Sequence, residues 1–176
     1  MKEVIRNLKA GDEKAFKELT LSIKNDLYRI ARTRLKNEED INDAIQNTMI
    51  ITYNNINKIR SEDSFKYWMI KVLINECNKI YNTNKKSVEI YNRVLIENKY
   101  EESSNPMHEV NSKIDFETVL EQINYDERIV LTLYFVSQYS CSKIAKLLNS
   151  NVNTIKSRLN RGKIKIREYY SGGKYE

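Results

Sequence analysis

Cys141-Ser142-Lys143-Ile144-Ala145-Lys146-Leu147-Leu148-Asn149-Ser150-Asn151-Val152-Asn153-Thr154-Ile155-Lys156-Ser157-Arg158-Leu159-Asn160-Arg161 reads as a short helix, a tight turn and the start of a longer helix. Asn149-Ser150 makes the turn, and Ser150 or Asn151 can cap the helix that follows. Ile144, Leu148, Ile155 and Leu159 are spaced to meet between the two helices, and Ala145 is small where they would cross. The second helix is expected to run over residues 151–170, with Lys156, Arg158, Arg161, Lys163, Lys165 and Arg167 along it. A short helix, a turn and a basic helix are the parts of a helix-turn-helix. Lys and Arg neutralise phosphates and release counterions. Asn151, Asn153, Thr154 and Lys156, near the helix start, suit the base edges of a major groove. A merely solvated basic helix would not need the turn and the apolar positions to agree with the charge. The pattern implies contact with duplex DNA and leaves its purpose open.

The charge balance sharpens this. The chain has 176 residues, 30 Lys+Arg and 24 Asp+Glu, a formal net charge of +6. That sum alone says little, because a solvated surface can carry it. Its distribution says more. Residues 128–176 hold ten Lys and Arg against Glu168 and Glu176, a net of +8. Residues 115–127 hold Asp115, Glu117, Glu121, Asp126 and Glu127 and no basic residue.

Upstream, apolar residues recur at helical spacing. Gly11-Asp12 breaks a helical pattern over 2–36, with Asp12 a candidate cap. Phe16, Leu19, Ile23, Leu27 and Ile30 follow at steps of three and four. A second helix over 39–57 has one stripe of Ile41, Ala44, Ile45, Met49, Thr52 and Ile56. Its other face is polar and suits either plain solvation or a partner. A third, over 65–81, sets Phe65, Trp68, Met69, Val72, Leu73, Cys77 and Ile80 in a seam, with Trp68 expected as the largest core anchor. These helices would close as a small bundle. Residues 88–112 are net −3, contain the chain's single Pro within Ser103-Ser104-Asn105-Pro106, and read in their second half as a linker. Helices over 114–123 and 128–136 then lead into the helix-turn-helix.

Several classes are excluded or disfavoured. The length permits one or two small domains and no barrel of ~250 residues. Four Gly and one Pro are too few for a fold of many tight turns. Cys77 and Cys141 lie far apart and form no CxxC, so neither a disulfide nor a metal framework is expected. His108, the one histidine, sits in the linker without a nearby Cys. There is no Gly-rich phosphate loop, nucleophile triad or metal cluster, so no catalytic residue, metal or cofactor is expected. No run of ~18 apolar residues suggests membrane insertion, and the first residues lack a leader's apolar stretch, which points to the cytoplasm.

Two further segments carry a family resemblance. Residues 139–148 with Val152-Asn153-Thr154-Ile155-Lys156-Ser157-Arg158-Leu159-Asn160-Arg161-Gly162 resemble the region-4 signature of extracytoplasmic-function sigma factors of the sigma-70 family. Asn153 stands where Gly is usual, and Gly162 where Ala is frequent. Asp40-Ile41-Asn42-Asp43-Ala44-Ile45-Gln46-Asn47-Thr48-Met49 and Ser64-Phe65-Lys66-Tyr67-Trp68-Met69-Ile70-Lys71-Val72-Leu73-Ile74-Asn75 resemble the family's region 2. Asn47, Met49 and Lys79 depart from its common residues.

The resemblance implies an all-α chain of two small helical domains. A region-2-like bundle (1–87) and a region-4-like helix-turn-helix (113–176) would be joined by an acidic linker (88–112). It implies a promoter-specificity subunit whose partners are core RNA polymerase, promoter DNA and an anti-sigma factor. Asp40, Asp43, Gln46 and Asn47 would bind core polymerase. Lys58, Ile59, Arg60, Lys66, Lys71, Asn75 and Lys79 would meet the −10 element as single strand. Asn151, Asn153, Thr154, Lys156, Ser157, Arg158, Arg161 and Lys165 would meet the −35 element as duplex. The rival reading is a helix-turn-helix regulator that never replaces the sigma subunit, for which the region-2 pattern has no use.

Overall fold

The Asp12 carboxylate accepts the backbone N–H groups of Lys14 and Ala15 and starts helix α1, Glu13–Ala31. The structure is a computed structural model and describes residues 6–8, 12–58, 62–98, 119 and 122–171. Asn37 caps α2, Glu38–Asn55, whose first turn carries Glu38, Glu39 and Asp40, where a helix dipole favours acids. A 3-10 turn, Ile56–Lys58, ends it. Helix α3 spans Glu62–Asn98. Asn124 caps α4, Tyr125–Phe135; Ser140 caps α5, Cys141–Leu147; Asn151 caps α6, Val152–Tyr170.

Helix α3 overrides the expectation for residues 88–112. It continues to Asn98, so the first part of that acidic stretch is helix and not tether. The reason is local: Lys85 to Asn98 contains no Gly or Pro, and Lys85 and Glu89 form an i,i+4 pair at 3.7 Å. Residues 99–112, with Pro106 and His108, lie outside the described residues, as does most of the helix expected over 114–123.

α1, α2 and α3 pack together as the expected bundle. Leu19, Leu27, Ile30, Ile41, Phe65, Met69, Ile70 and Leu73 are fully buried in it. Trp68 is only partly buried against this core, so the central aromatic is Phe65. The indole is wide and carries an N–H, which makes full burial harder than for a phenyl ring. Thr48 and Thr52 are buried, and their hydroxyls donate to the Ala44 and Thr48 carbonyls at 2.7 Å, so neither leaves a polar group unpaired.

The second bundle is α4, α5 and α6, with α6 against both others. Asn149 has φ 49°, a left-handed conformation that Asn tolerates, and the Ser150 N–H returns to the Ala145 carbonyl at 2.9 Å. This ends α5 and turns the chain into α6. Ile144 and Ile155 are fully buried at the crossing, with Ala145, Leu147 and Leu159 beside them; Leu148 is only partly buried.

The two bundles meet. The Arg34 guanidinium lies 3.6 Å from the Tyr81 ring centroid and 4.2 Å from that of Tyr125. The Arg128 Nε donates to the Thr33 carbonyl at 3.0 Å. Tyr67 and Tyr139 are 6.3 Å apart, with the Lys143 ammonium 4.1 Å from the Tyr139 ring. Among the described residues no helix is long and apolar enough to cross a membrane.

Gly162 is buried in α6, and a Cβ there would lie 2.7 Å from Leu131 Cδ1 and 3.0 Å from its Cγ. Leu131 is itself buried. Ala gains ~1 kcal/mol of helix propensity over Gly, whereas overpacking a core costs ~1–3 kcal/mol. Gly162→Ala should therefore lower stability by ~1 kcal/mol. In a Leu131→Val background the same change should become neutral or stabilising, read as urea midpoints at constant slope.

Candidate nucleic-acid and polymerase interfaces

Asn153, Lys156, Ser157, Asn160 and Ile164 are exposed and fall at steps of three and four along α6. They make one outward stripe. Asn160 escaped the sequence reading, although its spacing from Lys156 and Ser157 would have found it. Thr154 is half-buried. The Asn151 side-chain oxygen accepts the Thr154 N–H at 2.7 Å, so the cap uses that acceptor.

Arg158, Arg161 and Lys165 share a different face, turned to the first turn of α4. Arg158 Nη2 is 2.6 Å from Asp126 Oδ2. Arg161 Nε is 3.0 Å from Glu127 Oε1, and Lys165 Nζ is 2.7 Å from Glu127 Oε2. The Lys163 ammonium lies 5.2 Å from the Tyr134 ring centroid. Four cations of this basic helix thus have partners inside the chain. Sequence reasoning treated Asp126 and Glu127 as background acidity; only the packing of α4 on α6 shows what they hold.

Glu127 is 4% exposed. Burial pushes its carboxyl up, but hydrogen bonds from Lys165, Arg161 and Asn124 outweigh it, and its pKa falls below 4.5. Cys77 is also buried, and burial pushes its thiol up to about 12, so it stays protonated and inert at neutral pH.

In the first bundle, Asp43, Gln46 and Asn47 are exposed on one face of α2, and the face continues to Ile50 and Tyr53. Asp40 is half-buried and accepts from Asn84 Nδ2 at 2.8 Å, which ties α2 to α3. Between α2 and α3 lies a cleft of about 470 Å³ lined by Ile51, Val72, Asn75, Glu76, Asn78, Lys79 and Asn82. Lys79 Nζ pairs with the nearly buried Glu76 at 2.6 Å. Amides offer both donors and acceptors, so this wall matches base edges better than a wall of cations alone. Lys71 is exposed on the same helix, one turn before Asn75. Lys66 pairs with Asp26 at 2.7 Å. The Lys58 side chain, Ile59 and Arg60 lie outside the described residues.

The two halves match two family models, Sigma-70 region 2 over residues 19–86 and Sigma-70, region 4 over 113–166. The chain belongs to the sigma-70 family. It is 25% identical to the RNA polymerase sigma factor SigV of Bacillus subtilis over 138 residues, 78% of this chain and 80% of that one. To the ECF RNA polymerase sigma-E factor of Haemophilus influenzae it is 26% identical over 172 residues, 91% and 89% of the two chains. Among solved structures, the sigma factor RpoE in complex with the anti-sigma factor NepR from Bartonella quintana shares the fold. Its TM-score is 0.66 at 20% identity, covering 90% of this chain and 98% of that one. The structure of CnrH in complex with the cytosolic domain of CnrY also scores 0.66, at 17% identity and 97% of each chain.

Glu127→Gln should cost about 1.5–3 kcal/mol at neutral pH, the range for hydrogen bonds to charged groups, because the two cations can still reach water. Its depressed pKa makes the stabilisation complete above the unfolded value near 4.3 and lost as pH falls through the lower folded value. Thermal melts from pH 7 down to 3 should show the wild-type chain losing its advantage over Glu127→Gln on the acid side.

Proposed function

We propose that the chain is an alternative sigma factor that docks on core RNA polymerase and directs initiation at promoters read at two places. The single observation that carries this is the pairing, in one chain, of a region-2 bundle bearing an amide-lined cleft with a region-4 helix-turn-helix. Asp43, Gln46 and Asn47 form the polymerase-docking face. Asn75 with Lys71 and Lys79 meets the −10 element as single strand, where extruding a base costs a few kcal/mol that the cleft must offset. Asn153, Lys156, Ser157 and Asn160 meet the −35 element as duplex. The domains are taken as 1–87 and 113–176, the region-2 helix running on into the stretch between them. The protein is not an enzyme itself, acts in the cytoplasm with the polymerase, and is held in check by an anti-sigma protein, the kind of partner named for the RpoE neighbour.

Adding the full chain to core polymerase should yield transcripts from a restricted set of start sites in a run-off assay on genomic fragments. Duplex binding by the chain alone, with no promoter selectivity conferred on the core, would establish the regulator reading instead. Asn75→Ala should reduce promoter opening, followed by permanganate reactivity, and leave core binding intact. Gln46→Ala should weaken core binding about tenfold, equivalent to ~1.4 kcal/mol.

A further inference from the structure

Asp126 and Glu127 are consecutive on α4 and face different surroundings. The Glu127 side chain is 4% exposed and holds Arg161 and Lys165; that of Asp126 is 55% exposed and holds Arg158, itself 23% exposed. A buried carboxylate must be paired for the fold to form. An ion pair at the rim adds little to stability, and any first-turn acid supplies the ~0.3–1 kcal/mol of helix-dipole stabilisation, so folding does not explain why Asp126 is paired with Arg158. Its position does. The carboxylate pairs with the charge and takes the Nη2 donor of a guanidinium that would otherwise be available to a phosphate. Lys156, on the outward stripe with Asn153, Ser157 and Asn160, has no such partner among the described residues.

We infer that Asp126 is a specificity-determining residue of the duplex interface: it withholds Arg158 from the sugar-phosphate backbone and leaves recognition to the outward stripe. This rests on the reading of α6 as the duplex-facing helix. Phosphate contacts add affinity for every sequence alike, so one fewer lowers non-specific binding and raises the ratio of specific to non-specific affinity.

The test measures binding of the full chain to two duplexes over a range of salt by fluorescence anisotropy. One duplex is selected by the wild-type chain from a random pool; the other is of random sequence. Asp126→Asn should bind the random duplex about tenfold tighter at low salt, with a log–log salt slope steeper by ~0.9 and a lower selected-to-random ratio. Glu168→Gln, which removes the same charge from α6, should move the slope far less. Asp126→Glu should restore the wild-type ratio. In an Arg158→Ala background, Asp126→Asn and Glu168→Gln should act alike. Equal effects of those two in the wild-type background overturn the inference, as does a full effect of Asp126→Asn without Arg158. A wild-type chain that selects no duplex overturns the duplex reading itself, and the inference with it.

Discussion

A carboxylate almost out of water, Glu127, sets the rotation of α6 about its own axis. Such a group costs several kcal/mol to desolvate unless it is paired and hydrogen-bonded. Here it lies in the first turn of α4, where the helix dipole favours negative charge, and both of its oxygens are occupied, by Arg161 and Lys165. With those two side chains fixed against α4, Ile155, Leu159 and Gly162 must turn inward, and Asn153, Lys156, Ser157 and Asn160 must turn outward. The Leu131 side chain fills the space that Gly162 leaves, so the helices approach closely at one point and are tied by charge at another. The outward stripe is a consequence of what the inward face requires.

The first bundle depends on different physics. Its core is apolar around Phe65, and its buried threonines satisfy themselves within α2. Where it meets the second bundle, the contact changes to flat cations on rings. Arg34 between Tyr81 and Tyr125 uses a planar, weakly hydrated guanidinium that stacks at modest desolvation cost. A contact of this kind fixes an orientation without demanding the large apolar area of a core. The buried apolar residues of the two bundles run on into one cluster, and the faces assigned to polymerase and DNA stay outside the contact.

Legibility followed the range of the interaction. The helix-turn-helix could be read because its signals are local: a turn of Asn149-Ser150, an Asn cap, apolar residues at helical steps. Region 2 was visible for the same reason in its stripes of Ile41, Ala44, Ile45 and Phe65, Met69, Leu73. The length of α3 was underestimated because its apolar seam was followed only to Ile80, whereas the helix runs on to Asn98 through a stretch without Gly or Pro. Trp68 was overrated on size. The allotment of cations on α6 could not be read at all. Arg158, Arg161 and Lys165 differ from Lys156 only in the face they occupy, and that face becomes meaningful once α4, some thirty residues upstream, is packed against it.

Those pairings bear on how basic charge is interpreted. A segment at +8 suggests a large electrostatic footprint, and each phosphate neutralised steepens the salt dependence of binding. Yet Arg158, Arg161 and Lys165 have carboxylate partners, and Lys163 lies over aromatic rings. Only cations without an internal partner can release counterions from DNA without first breaking a contact. The effective charge presented to a duplex is therefore smaller than the composition implies, and along α6 it rests on Lys156 near the start and Arg167 in the last turn. A helix arranged in this way gains less from a non-specific phosphate track and more from hydrogen bonds to base edges. For a subunit that must distinguish a few promoters from a genome of competing sequence, a lower background affinity is as useful as a stronger specific one.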